Sequence, residues 1–384
     1  MEKKKIGIIS CFDMQNVNYG NRLQAYALNA YLQKNFPQYD TTSLYFGKLN
    51  DYLKTKNVSI IKRAMGKVKR EYLKLTHKTG ISSSVSERMK RFNAFSRKYI
   101  RMTDRPWTWE ELINSDFDVM IIGSDIVWYQ WNNKIRRSRF LDFKSQKNFK
   151  RIAYAASFGR DWIPEENIAE VKRCLENFQN ISVREASSVE MLRGIGITNS
   201  CHTLDPTLLL DKSEWEQVMS PPERCKLPER FIFVYMLGGS KNDREQISAI
   251  ASKEKLSIVT VPNASGNKPH IDDGFGDIRL DNCSPDEWIW LIANAEYVIT
   301  DSFHGIAFAT IFSTRFLVTK RKETFNINNR LFDYLKTIGQ QDKMTDLQTV
   351  KGLSYFQWDM DAIHKRLEEK RIVSKQYLAD ALKD

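Results

Sequence analysis

Short, continuous apolar runs alternate along this chain with longer stretches of helical spacing. The first run, KIGIIS at 5–10, reads as a buried strand. A polar loop over 13–20 follows. Then 22–36 places Leu23, Tyr26, Ala27, Ala30 and Tyr31 on one helical face. Strand, loop and helix in that order open a parallel α/β unit. The same grammar recurs at 117–122, at 152–156 and at 181–183, the last followed by a helix over 185–192. Residues 202–210 close this half.

The proline- and charge-rich stretch 220–224 has no periodicity and reads as a linker. Strands are then predicted at 231–237, 257–261 and 297–300, with Leu317 and Val318 in a further one. Ser284 and Glu287 have the spacing of a helix start, and another helix runs through Phe308 and Ile311. The fold class expected is α/β, with two Rossmann-like, doubly wound domains facing a cleft. The boundaries are 1–222 for an N-terminal domain with a basic helical insertion near 54–100, and 228–360 for a C-terminal domain. A C-terminal helix at 361–384 is placed to pack back on the first domain.

The chain has 384 residues, 42% hydrophobic and 28% charged, which suits a soluble two-domain protein. The apolar run at 6–11 is too short for a signal-peptide core. No stretch reaches the roughly 18–20 apolar residues of a membrane span, so a cytoplasmic protein is expected. Five scattered cysteines without C-x-x-C spacing predict reduced thiols and no metal site.

Of the net charge of +12, segment 54–78 holds nine Lys or Arg against the single acid Glu71. Apolar residues interleave with these cations. The segment is either a helix lying on an anionic membrane surface or a solvated face. No nucleic-acid motif accompanies it, so no nucleic-acid partner is expected.

Ligands of open parallel sheets bind at the carboxyl ends of the strands, and candidate chemistry gathers there. His304 follows the strand at 297–300, with Asp301 and Ser302 before it and Gly305 after it. It can serve as acid, base or anion ligand, and the following helix N-terminus favours an anion. Arg184 follows the strand at 181–183, beside Glu185, as an anion clamp or a simple salt bridge. Arg321 and Arg330, with Asn326, Asn328 and Asn329, follow the His304 helix. Ser124, Asp125 and Trp128, then Trp131 and Asn132, follow the strand at 117–122. His77, His270 and His364 read as surface residues and His202 as a strand residue. Gly194 and Gly196 are only a fragment of a nucleotide-binding pattern.

An ordered set of blocks, NYGNRLQAYAL at 18–28, GSDIVW at 123–128, YAASFG at 154–159, SVRE at 182–185, LDPT at 204–207, TDSFHG at 300–305 and NRL at 329–331, resembles the polysaccharide pyruvyl transferase family. The resemblance implies a GT-B-like pair of domains and phosphoenolpyruvate as co-substrate, with no other cofactor and no metal. It assigns donor contacts to Arg184 and His304, and Ser302 and Gly305 lie in the same block. Some family members have arginine two residues before the histidine, where this chain has Ser302; Arg321 or Arg330 could replace that cation.

The expected reaction forms a pyruvate ketal on a sugar of a capsular or cell-surface polysaccharide, or on its lipid-linked precursor. In the latter case 54–78 would hold the enzyme at the inner face of the membrane. His304 is the first choice for acid or phosphate ligand, and Asp301, Asp125 and Glu185 are candidates for base. Asn18, Asn21, Ser124, Asp125 and Trp128 are expected at the acceptor. The alternatives are a glycosyltransferase using a nucleotide sugar and a non-catalytic carbohydrate-binding protein.

Overall fold

The computed structural model describes residues 3–46, 83–130, 134–263, 271–321 and 328–383. The basic segment 54–78, His77, His270, Trp131, Asn132 and Asn326 lie outside these. The fold is the expected α/β pair. β1 (Lys4–Ile9), α1 (Tyr19–Asn35), β2 (Tyr39–Leu44), α2 (Ser83–Tyr99), α3 (Trp109–Ile113), β3 (Val119–Ile122), β4 (Lys150–Ala156), α4 (Glu165–Leu175), β5 (Asn180–Val183), α5 (Ala186–Gly194), β6 (Ser200–His202) and α6 (Lys212–Glu216) form the first half. The second half holds β7 (Phe231–Tyr235), α7 (Lys241–Glu254), β8 (Ser257–Thr260), β9 (Ile278–Arg279), α8 (Pro285–Asn294), β10 (Tyr297–Thr300), α9 (Phe303–Phe312), β11 (Arg315–Val318) and α10 (Asn328–Ile338). The long α11 (Met360–Ala381) ends the chain.

Both sheets are parallel, in the orders β2-β1-β3-β4-β5-β6 and β11-β10-β7-β8-β9. Helices cover both faces of such sheets, so their central strands are apolar throughout. β3, β7 and β10 are buried at every position. Strand order reverses between β1 and β3 in the first sheet and between β7 and β10 in the second. These are the points where the following loops diverge and open a crevice.

α1 begins three residues before the apolar spacing suggests, because the Asn18 side chain accepts from the Asn21 amide and caps the first turn. It also buries more polar groups than its spacing implied. Asn21, Arg22, Gln24 and Asn29 are all buried, each bonded within the first half, to Cys11, to Asn16 and Asn93, to Ser124 and Asp205, and to Ser43 and Arg101.

Its first residue shows how the halves join. Tyr19 stacks on Trp288 with ring centroids 5.1 Å apart, packs edge-on against Tyr235 and Phe92, and donates its hydroxyl to the Cys283 carbonyl at 2.8 Å. Arg88 of α2 donates to the carbonyls of Asp281 and Pro262 at 2.6 and 2.9 Å, and Arg91 grips both oxygens of Glu287. A single apolar cluster therefore runs from Ile6 through Tyr19 and Trp288 to Phe308. α11 reaches back in turn: Tyr377 donates to the Ala153 carbonyl, Arg371 to the Leu208 carbonyl, and Ser374 accepts from the Leu204 amide. No helix among the described residues is long and apolar enough to cross a membrane.

Because the core is shared, the two halves are expected to unfold together. Urea titration followed by tryptophan fluorescence and by far-ultraviolet circular dichroism should give coincident single transitions. Tyr19→Ala should cost about 3–5 kcal/mol, as for other large aromatic truncations in cores. Two separated transitions in the unmodified protein would contradict the shared core.

Candidate functional site

The site grows from one buried carboxylate. Asp205 follows β6, and Pro206 behind it opens a short 3-10 turn that the aspartate caps, accepting from the Thr207 amide and hydroxyl at 3.0 and 2.7 Å. Its other oxygen accepts from Gln24 of α1, from the Ser124 hydroxyl at 3.2 Å and from Arg184 at 3.2 Å. The same oxygen lies 3.7 Å from Nε2 of His304, which arrives from the second half. Burial alone would raise this carboxyl's pKa. His304, Arg184 and Thr207 outweigh burial and hold it well below the usual carboxylate range, so it stays ionised.

Arg184 is almost wholly enclosed, with its side chain 1% exposed. Besides Asp205, it donates from Nε to Glu185 at 2.9 Å and lies 3.6 Å from Asp125. Phe303 of α9 lies under it, 4.7 Å from ring centroid to guanidinium carbon. Burial opposes its charge, but Glu185, Asp205 and Asp125 together push its pKa above the ordinary value. Asp125 adopts φ 70°, a left-handed conformation that aspartate tolerates better than most residues. Such residues concentrate at functional sites.

His304 occupies the second position of α9. Gly20 of α1 meets it face-on, and a Cβ at position 20 would overlap the imidazole. The glycine in the block at 18–28 is thus what lets α1 of one half close on a histidine of the other. Gly305 makes a similar close approach, since a Cβ there would meet the Thr300 side chain.

Two more arginines complete the group. Arg321 donates from Nε to the Asp301 carbonyl at 3.1 Å, and its own amide and carbonyl are paired with the side chain of Asn328 at 2.9 and 3.0 Å. Arg330 sits in α10. Burial first, then the nearby charges of Arg321 and Arg184, bring its pKa down to about 10, leaving it charged at neutral pH. Among the described residues, no hydrogen-bond partner is found for the buried Nη2 of Arg184, Nη2 of Arg321 and Nε of Arg330, and Nε2 of His304 has only its 3.7 Å approach to Asp205. Buried polar groups are almost always satisfied, so these nitrogens mark a place for an acceptor-rich ligand.

Some expected site residues have other tasks here. Both carboxylate oxygens of Asp301 are taken by the backbone amides of Leu237 and Gly238 at 2.7 and 2.8 Å, which ties β10 to β7 at the crevice. Asp301 is fully buried and has Arg321 Nε 3.5 Å from the same carboxylate, so it acts as a positioning residue. Ser302 caps α9, accepting from the Gly305 amide, so part of that helix N-terminus is already satisfied. Trp128 is fully buried among Phe140, Phe158 and Phe178 and donates to the Arg139 carbonyl. It cannot line a sugar site.

Asn18 is exposed at the rim as the α1 cap, while Asn21 donates to the Cys11 carbonyl at 2.8 Å. Ser124 and Asp125 lie at the crevice. His202 lies in β6 as expected, but His364 is half-buried, with Nε2 3.0 Å from the Thr310 carbonyl. Asp205 and Gln24 lie inside the blocks at 204–207 and 18–28, but neither was given a role from sequence. Their signals were an aspartate at a strand end beside proline, and a glutamine on a helix face otherwise read as apolar. A surface hollow of about 430 Å³ at Ser248, Lys255, Ser257 and Gly276 lies at the amino ends of β8 and β9 and involves none of these groups.

The sequence pattern of the family described as polysaccharide pyruvyl transferase matches residues 18–322. With that much of it matched, the chain belongs to the polysaccharide pyruvyl transferase family. No curated protein sequence matches it. Among solved structures, it is similar to UDP-GlcNAc 2-epimerase from Neisseria meningitidis bound to UDP-GlcNAc, with 12% identity, 99% and 94% of the two chains covered and a TM-score of 0.44. It is also similar to UDP-GlcNAc 2-epimerase from Methanocaldococcus jannaschii (11% identity, 95% and 92% covered, TM-score 0.44). The glycosyltransferase SnogD from Streptomyces nogalater is a third (9%, 98% and 96%, 0.39).

Removing Arg184 would strand three carboxylates in the interior. Arg184→Ala should therefore destabilise by about 3–5 kcal/mol, the cost of breaking a buried ion pair from one side. The pH dependence follows. In the unmodified protein the depressed Asp205 pKa contributes stability above the unfolded value, lost as pH falls through the folded one. In the variant Asp205 keeps His304 and Thr207 but loses Arg184, so its carboxyl is held down less and protonation at acid pH relieves part of the loss. The deficit, read from denaturant midpoints, should shrink as pH falls from 7 toward 3. A deficit constant across that range would count against the ion-pair account.

Proposed function

We propose that this member of the polysaccharide pyruvyl transferase family takes phosphoenolpyruvate as donor and builds a cyclic pyruvate ketal on a sugar of a capsular or other cell-surface polysaccharide, or of its lipid-linked precursor. The observation that carries this reading is the set of unpartnered buried nitrogens on Arg184, Arg321, Arg330 and His304. Phosphoenolpyruvate is a small anion with a carboxylate at one end and a phosphate at the other. Guanidinium groups suit both, since planar paired donors match the geometry of each group.

By formal count the site is not cationic, because Asp125, Glu185, Asp205 and Asp301 accompany the three arginines. The carboxylates of Asp205 and Asp301 are spent on internal donors, however, whereas the arginines keep N–H groups in hand. What the crevice offers a ligand is therefore donors.

The reaction can be balanced on these residues. A proton is added to C3 of the enolpyruvyl group, turning the methylene into a methyl and leaving positive character at C2. One sugar hydroxyl attacks C2 and loses its proton. The C2–O bond to phosphate breaks, and a second hydroxyl of the same sugar closes the ketal, its proton leaving with phosphate. His304, held between Gly20 and Asp205, is the proposed acid or phosphate ligand, a role general acids fill with roughly 10²–10⁴-fold effect. Asp125 is the proposed base. It keeps a looser contact with Arg184, 3.6 Å against 2.9 Å for Glu185, and so retains more of its lone-pair capacity.

Incubation with phosphoenolpyruvate and an acceptor glycan in heavy water should give a ketal whose methyl carries a solvent deuteron, detected by mass spectrometry and proton NMR. His304→Ala should slow this by roughly 10²-fold or more. Arg330→Ala should weaken phosphoenolpyruvate binding about 10- to 100-fold, the worth of one charge-assisted hydrogen bond. A wild-type protein that binds a nucleotide sugar and ignores phosphoenolpyruvate would falsify the proposal.

A further inference from the structure

An isolated exposed apolar side chain means little, but large ones gathered at one site are informative. Trp162 and Phe332 are 50% and 47% exposed. Trp162 lies in the loop after β4, at the carboxyl end of the first sheet. Its neighbour Asp161 accepts from Asn329 at 2.5 Å, and Asn329 directly precedes Arg330. Phe332 follows Asn329 by three positions on α10, on the same helix face. The Asp161–Asn329 hydrogen bond thus joins the two halves beside both aromatics, and Phe332, two positions after Arg330, projects from α10 on the side away from that arginine.

The loop is built to hold its indole. Gly159 takes φ 68°, and a Cβ there would meet Ile126 and Tyr129. The Arg160 guanidinium then lies over Tyr129 at 4.2 Å and over Trp162 at 4.5 Å. Arginine stacked between two rings immobilises both, yet half of the Trp162 surface still faces solvent.

We propose that Trp162, backed by Arg160 and Tyr129, is the platform on which the hexopyranose ring of the acceptor glycan rests. The proposal rests on the pyruvyl-transfer reading for its place in the reaction. It supplies the aromatic surface that Trp128, being buried, cannot. A pyranose turns a face of C–H groups outward, which suits the electron-rich face of an indole. Its hydroxyls need polar neighbours: Arg160 lies over the indole, and the preceding residue, Asp161, is hydrogen-bonded to Asn329. A lipid chain would call for a broader aliphatic surface than one indole and one phenyl ring framed by charges.

Saturation-transfer NMR on methyl galacto-, gluco-, manno- and N-acetylglucosamine pyranosides tests this without relying on the donor. The wild-type protein should transfer magnetisation mainly to the C–H protons of one sugar face. Trp162→Ala should weaken that binding about tenfold, an effect the size of one lost aromatic contact, and Trp162→Phe should retain most of it. Calorimetry should give the same phosphoenolpyruvate affinity for Trp162→Ala as for wild type.

Unaltered glycoside binding by Trp162→Ala overturns the proposal. So does a wild-type protein that binds none of the glycosides, or one that uses Trp162 to bind anionic phospholipid vesicles instead. If the wild type binds glycosides through Trp162 but not phosphoenolpyruvate, the platform stands and the donor reading falls.

Discussion

A carboxylate with no access to water must find its partners inside the protein, and Asp205 finds them on several elements at once. Gln24 comes from α1, Ser124 from the loop after β3, Arg184 from the end of β5, Thr207 from its own turn, and His304 from the second half. Each of those partners is thereby fixed relative to the others. The ring of His304 lies against Gly20 on one side and within reach of Asp205 on another. Arg184 is aimed by three acids and supported by Phe303. An interior ion cluster of this kind adds little net stability compared with apolar packing. What it supplies is position, and catalytic groups need that.

The rest of the architecture is consistent with a fixed crevice. Tyr19, Trp288, Tyr235 and Phe92 form a dry aromatic seam between the halves, and Arg88 and Arg91 bind across it. α11 runs back to the first half and ties down β4 through Tyr377. A site assembled from both halves is then largely preformed, so little binding energy is lost in ordering it.

Much of the fold could be read from sequence because buried parallel strands write themselves as unbroken apolar runs. VMII, FIFVY and YVIT needed no further context. Strand ends then pointed to Arg184, Asp125 and His304, which the structure brings together. The remainder depended on tertiary contacts. Whether Asp301 faces a ligand or the amides of Leu237 and Gly238 is invisible in a one-dimensional string. Trp128 and Trp162 are both tryptophans soon after a strand end, yet one is enclosed by phenylalanines and the other is half-exposed. Asp205 was hidden for a related reason: its neighbours in space come from α1, β5 and α9, far away in sequence.

On the proposed reading, buried nitrogens of Arg184, Arg321, Arg330 and His304 together receive one small donor that carries both a carboxylate and a phosphate. The most direct measurement is a crystal structure of the protein with phosphoenolpyruvate bound. Its phosphate and carboxylate oxygens should lie within hydrogen-bonding distance of those nitrogens, with C2 facing Asp125. Phosphoenolpyruvate bound elsewhere, or those nitrogens turned from it toward protein partners, would contradict the account.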